Sequence, residues 1–322
     1  MSTSLPAVFH ATYAFEDGDV VLVSSDNIQF LVHSVVLREA SPVFRDMTTI
    51  PGPREAEKQP SDRTIKLDEP AFVMEFLMDA IYPRETFPSV LNYNQAWEIA
   101  RAADKYDIGR AFTILRSTIL HNEELRGQTF RLYKLARRYQ WTDIIAFSSK
   151  ASLDKPLLNL RYMEPEALEH FFELSSEDAE DLLRLHRSRC AEILDFNVNN
   201  LTEYFFAEDV VTEDGEPKLA MYWGCGNGCG GTSDEVTDAA FTSFKNGLEK
   251  YLDREPAASA LFERKAFDEL FKELVRISAF KLANCRKCKR PFMNGEKAWE
   301  YFQGVASRIP STVLEIVQPV ET

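Results

Sequence analysis

The chain has 322 residues, 45% hydrophobic and 12% aromatic, enough to fold two or three domains around buried cores and too apolar for a disordered polypeptide. Its formal net charge of -14 repels a phosphate backbone and an anionic bilayer, which argues against direct nucleic-acid or membrane binding. No apolar stretch approaches the ~20 residues that span a bilayer. No Lys or Arg precedes Arg38, so the start does not read as a secretory signal or a mitochondrial presequence. Five cysteines in such a chain are expected as thiols in a reducing, intracellular compartment, cytoplasm or nucleus.

Residues 1–15 read as a loose tail in which Val8, Phe9, Tyr13 and Phe15 have the apolar character to dock. From Asp19 the pattern sharpens. Val20 to Val23 is a β-rich run, Ser24 to Asn27 a polar turn and Ile28 to Val32 a second run, which together predict a hairpin. At His33 the period becomes helical. The segment HSVVLREA is expected to present Val35, Val36 and Leu37 to a core. It stops at Ser41-Pro42, because proline drives its predecessor out of the helical region. Ser41 then caps a short helix with Pro42 in its first turn and Phe44 pointing inward. Thr48 to Arg63, punctuated by Pro51, Gly52, Pro53 and Pro60, reads as an exposed loop. Thr64 to Leu67 is a short strand. Asp68 is placed to cap the next helix, which carries Phe72, Val73, Phe76, Leu77, Ala80 and Ile81 along one face and ends at Tyr82-Pro83. After a proline-broken loop, the sequence from Tyr93 through AWEIARAADKYDIGRAFTILRSTI reads as one long helix.

This order of elements resembles a BTB/POZ domain over residues 16–121. The resemblance rests on Asp19, Val20 to Val23, Phe30, His33, Leu37, Ser41, Phe44, Leu67, Phe76, Tyr82 and the run Ala102-Ala103-Asp104-Lys105-Tyr106. It implies an α+β fold with a short sheet flanked by helices. It also implies a non-enzymatic module that binds proteins and self-associates as a homodimer through its helical face. His33 is then a buried, hydrogen-bonded structural residue and Asp19 an acceptor at the mouth of the first strand. Transcription-associated members place a basic residue after that His to form a charged corepressor pocket. Here Ser34 stands there, so a pocket of that kind is not expected. A further implied role is substrate adaptor for a cullin-type ubiquitin ligase, although Phe44-Arg45-Asp46 does not reproduce the hydrophobic-x-Glu element of cullin-binding members.

After His121 the strand signals vanish, and residues 122–207 read as helical, resembling a BACK-type extension. Helices are predicted over Thr129 to Tyr139, with Phe130, Tyr133 and Ala136 inward, over Asp143 to Leu153, and over Glu166 to Leu174. Ser175-Ser176-Glu177-Asp178 resembles a capping box. The helix it opens carries Ala179, Leu182, Leu183, His186, Cys190, Ile193 and Leu194 on one stripe, and the pair His186 and Cys190 reads as core rather than as metal ligands. Residues 208–218 form an acidic linker. Residues 219–322 read as a helical C-terminal subdomain with amphipathic helices over Asp234 to Leu252 and Lys265 to Ala283, and a last helix around Trp299, Phe302 and Ile309.

Four cysteines in this last region fall in two pairs, Cys225 with Cys229 and Cys285 with Cys288. A C-x3-C and a C-x2-C supply four thiolates, the ligand set of a closed tetrahedral site for structural zinc. Gly224, Gly226, Gly228 and Gly230 permit the tight turns that converge two sulfurs on one ion. Arg286, Lys287, Lys289 and Arg290 would offset the charge of a four-sulfur zinc. Two unrelated pairs of thiols are the alternative that the spacing leaves open. A redox pair is disfavoured, because Cys285 follows a helix, at the end that opposes a thiolate. No phosphate loop, nucleophile elbow or HExxH is present. The function expected is therefore an interaction scaffold and not an enzyme, with a dimeric zinc-dependent regulatory module or a transcription-associated protein as the alternatives.

Overall fold

The hairpin forms as its alternation predicts. Strands β2 (Val20–Val23) and β3 (Ile28–Val32) pair antiparallel with Val20 opposite Val32 and Leu22 opposite Phe30. Asn27 takes a positive φ of 63° in the turn, a conformation that its short polar side chain tolerates better than most. The Ser24 hydroxyl and N–H both bond to Ile28 O, and Ile28 N–H returns to Ser24 Oγ. Around the hairpin lie β1 (Val8–Ala14), parallel to β3, and β4 (Thr64–Lys66), parallel to β2, giving the order β1-β3-β2-β4. This is a computed structural model, described over residues 8–49, 64–82, 90, 92–195, 234–277 and 295–317. The chain divides into two compact units, Met1–Gln128 and Thr129–Thr322.

In the first unit, β1 occupies what reads in sequence as a loose tail. Its docking follows from helix α3 (Ala71–Ile81), which is apolar on nearly every side: Val73, Met74, Phe76, Leu77, Met78, Ala80 and Ile81 are all buried. Its only acidic residues, Glu75 and Asp79, are four apart and so share a face. β1 meets that face: Tyr13 donates its hydroxyl to Asp79, and His10 lies 3.7 Å from Glu75 and stacks on Phe30 at 4.7 Å. The N-terminal end of α3 differs from expectation. Asp26, in the hairpin turn, accepts the Ala71 N–H at 2.9 Å, while Asp68 faces Lys105 instead. Phe72 is left exposed.

Helix α1 (Ser34–Ala40) runs straight off β3, and α2 (Pro42–Thr49) follows. Ser41 caps α2 by accepting the Phe44 N–H at 3.0 Å and also donates to Tyr106 O, so the cap ties α2 to a distant helix. Phe44 is fully buried and stacks on Tyr106 at 4.7 Å. The expected long helix is two, α4 (Tyr93–Lys105) and α5 (Gly109–His121). The chain breaks at Asp107, which adopts φ 51°. Asn92 caps α4 through the Gln95 N–H. Asn122 caps α6 (Glu123–Gly127), which belongs to this first unit.

The second unit is helical. It comprises α7 (Thr129–Tyr139), α8 (Thr142–Ser152), α9 (Pro165–Phe172), α10 (Ser176–Leu194), α11 (Asp234–Leu252), α12 (Arg264–Ile277), α13 (Gly295–Ala306) and α14 (Val313–Val317). Ser175 caps α10 by accepting the Asp178 N–H at 3.1 Å, as the capping-box pattern predicts. The sequence reading separates residues 122–207 from 219–322. The structure joins them, because Ile193 of α10 lies in one core with Phe244, Leu248, Phe267, Leu274 and Phe302. The short α14 returns to α8, where Val313 N–H meets Ser149 Oγ at 3.3 Å. Arg189 completes this packing: it is buried and donates to Pro256 O at 3.1 Å, Ala257 O at 2.5 Å and Pro310 O at 3.1 Å. Among the described residues no helix is long and apolar enough to cross a membrane.

Candidate functional site

The junction where the hairpin turns into α1 concentrates the polar contacts of the first unit. Asp19, just before β2, accepts the Ser34 backbone N–H at Oδ1 and the Ser34 hydroxyl at Oδ2, each at 2.6 Å. Partial burial works to raise the Asp19 pKa. The two Ser34 hydrogen bonds outweigh it and hold the carboxyl below its usual value of 3.8. The role expected of Asp19 is thus carried out with Ser34 as the partner.

His33 is partly rather than fully buried, and it bridges two groups. Its backbone N–H donates to Tyr82 Oη at 2.9 Å, and its Nδ1 lies 3.1 Å from the same oxygen. With Tyr82 Oη already accepting, its hydroxyl proton is best directed at Nδ1. That ordering leaves the imidazole proton on Nε2, 3.1 Å from Asp17 Oδ1. The His33 hydrogen bond keeps the Asp17 carboxyl low. Burial pushes the Tyr82 phenol up. Both features mark His33 as a structural link between β3 and the end of α3.

These contacts orient α1, and its outward side is where the structure departs from the sequence reading. Leu37 is fully buried, whereas Val35 is 63% exposed, more than any other large hydrophobic residue among the described residues of this unit. The reason is helical geometry: residues two positions apart on an α-helix point about 200° apart, so Leu37 and Val35 do not share a face. Beside Val35 lies a cleft of about 420 Å³ lined by Val36, Ile81 and Ile108, with Glu39 and Arg110 among its charged groups. Val35 and this cleft form a partly apolar surface edged by one acid and one base, Glu39 and Arg110. An exposed apolar side chain beside a partly apolar cleft is the kind of surface on which another polypeptide can dock.

The other sequence-derived candidates fare as follows. On α2, Phe44 and Thr48 face inward, while Arg45, Asp46 and Met47 face out, and Arg45 is tied to Arg38 O at 3.0 Å. His186 is buried in the second unit with Nε2 3.3 Å from Ser152 Oγ. Burial, reinforced by the Arg189 charge, drives its pKa down to about 3, so it is a neutral core residue. Cys190 is partly buried, and burial pushes its thiol up to about 11, which makes it a poor nucleophile. Cys225, Cys229, Cys285 and Cys288 lie outside the described residues, as does the linker 208–218. Among the described residues no cluster of His, Cys, Asp and Glu is arranged to hold a metal ion.

Residues the sequence reading missed are Glu39, Arg110 and Arg189. For Glu39 the available signal was its position four residues after Val35, which places it beside an exposed valine once Leu37 is taken as the inward anchor. For Arg189 the signal was an arginine three residues after His186 on an otherwise apolar stripe.

Comparison with known proteins agrees with this geometry. Residues 13–123 match the family model described as BTB/POZ domain. No curated protein matches the chain.

Proposed function

We propose, on the premise that residues 13–123 are a BTB/POZ domain, that the chain is a non-enzymatic protein-interaction adaptor that pairs with itself through the α1 face. The observation that carries the reading is the outward Val35 beside the cleft of Val36, Ile81 and Ile108. Burying one valine contributes about 1.5–3 kcal/mol, and a two-fold contact counts each residue twice. The test is to co-express two differently tagged copies of the full chain. Recovery of both tags on one affinity resin supports the reading, provided it is lost in Val35→Asp. Recovery of a single tag contradicts it.

A finer reading makes the chain a substrate adaptor for a cullin-type ubiquitin ligase, with the helices after residue 121 as a BACK-type extension. It is supported by the family match, while Arg45, Asp46 and Met47 face outward on α2 without reproducing the hydrophobic-x-Glu element. Mixing the full chain with a cullin N-terminal fragment tests it, and no complex at micromolar concentration counts against it.

The paired cysteines Cys225, Cys229, Cys285 and Cys288 add a structural zinc to the proposal, on the strength of their spacing. Metal analysis of purified chain is expected to give one zinc that resists mild chelation and falls away in a Cys225→Ser/Cys285→Ser variant. Metal-free wild-type chain would remove this part of the reading. The same reading has the chain inside the cell, in cytoplasm or nucleus, where cysteines stay reduced and free to bind zinc.

A further inference from the structure

The cleft beside α1 is apolar along Val36, Ile81 and Ile108, and it carries two side chains of opposite charge. Glu39 comes from α1, and Arg110 from the first turn of α5. Both are exposed, and among the described residues neither has an ion-pair partner. Some other charges of this unit are engaged within the chain, as Lys105 is with Glu69 at 2.8 Å and Arg45 with Arg38 O. An unpaired acid and an unpaired base beside one apolar cleft form a self-complementary set. Under a two-fold axis every contact between residue i and residue j recurs as a contact between j and i. Placing Glu39 of one copy against Arg110 of the second therefore creates two ion pairs at once.

The overall charge makes such a set consequential. Each chain carries -14, so most ways of bringing two copies together appose acidic surfaces. A face with a balanced acid and base avoids that repulsion. We propose that Glu39 and Arg110 form reciprocal ion pairs across a two-fold contact and thereby select a second copy of this chain as the occupant of the α1 face. The proposal rests on the self-association reading above. Rim ion pairs add little affinity by themselves, whereas like charges placed opposite each other cost several kcal/mol, so the pair acts chiefly by rejecting mismatched partners.

The test uses full-length chains carrying Glu39→Arg or Arg110→Glu, studied separately and as an equimolar mixture by sedimentation equilibrium. Thermal unfolding of each variant serves as the control for folding. Each single variant is expected to weaken self-pairing at least ~10-fold, because it brings like charges together twice. Mixing the two is expected to restore pairing to the wild-type level as a mixed dimer, since both contacts again join opposite charges. The double variant should pair with itself and reject wild type. Wild-type dimers unaltered by either substitution, or folded single variants that the mixture does not rescue, would overturn the charge-pair proposal while leaving self-association standing. A wild-type chain that stays monomeric removes both.

Discussion

Ser34 engages both oxygens of the Asp19 carboxylate, one through its backbone N–H and the other through its hydroxyl, each at 2.6 Å. This pair fastens the first turn of α1 to the strand that begins the hairpin. It therefore sets the direction of the helix whose outer side carries Val35 and Glu39. A neutral donor at this position also leaves the carboxylate satisfied without a cation.

Replacing Ser34 with alanine is expected to destabilise the first unit by about 1.5–3 kcal/mol at neutral pH, the range for one hydrogen bond to a charged group. The pH dependence has a definite sign. The folded pKa of Asp19 lies below its ordinary 3.8, so its contribution is present above that value and is lost as pH falls through the lowered folded value. The gap between wild type and Ser34→Ala in urea denaturation should narrow on moving from neutral pH to about pH 3. A gap that stays constant or widens would show that the hydroxyl does not act on the ionised carboxylate.

Leu37 and Val35 should respond in opposite ways despite lying two residues apart. Leu37→Ala removes a fully buried side chain and is expected to cost 2–5 kcal/mol of folding stability by the usual range for such cavities, roughly. Val35→Asp alters an exposed position and should leave the thermal midpoint within about 3 °C of wild type when both are dilute enough to be monomeric, any further gap being the concentration-dependent share that dimerisation adds. Scanning calorimetry of both variants checks this, and a large loss of stability in Val35→Asp would mean that the outward face is part of the core.

Arg189 should behave as a structural clamp. Its guanidinium satisfies carbonyls of Pro256, Ala257 and Pro310, which lie in segments far apart in sequence. Arg189→Ala leaves those acceptors without their donor and is expected to cost roughly 3 kcal/mol. The loss should be confined to the Thr129–Thr322 unit. Hydrogen exchange read by mass spectrometry would then show faster exchange around α10, α11 and α14, with the Met1–Gln128 unit unchanged.

His186 predicts a pH effect of the second unit at mild acidity. Burial, then the Arg189 charge, lowers its folded pKa to about 3, against an ordinary value of 6.5. Between those values the unfolded chain takes up a proton that the folded chain refuses, so stability falls as pH drops from about 6.5 toward 3. His186→Gln should flatten that dependence while keeping a partner for Ser152. Equal slopes in wild type and variant would contradict the assignment.

Much of the first unit was legible because its signals are local. The hairpin follows from alternation, α2 from Ser41-Pro42, and the inward Phe44 from both. Three features were not legible for stated reasons. Strand β1 docks through His10 and Tyr13 onto Glu75 and Asp79, a pairing between segments more than sixty residues apart that no local period encodes. The break between α4 and α5 depends on Asp107 accepting a positive φ, which the surrounding helical period conceals. Val35 sits in a run of three apolar residues, and only the choice of Leu37 as anchor decides which of them turns outward. In the second unit, helix positions were readable from spacing, but the shared core of α10 with α11 to α13 was not, since Ile193 and Phe244 are joined by packing alone.

The most direct measurement is sedimentation equilibrium of the full wild-type chain beside Val35→Asp at micromolar concentration. The expected result is a wild-type mass twice the 36.8 kDa of one chain and a monomeric, folded variant. A wild-type chain that sediments as a monomer, or a Val35→Asp variant that remains dimeric, would contradict it.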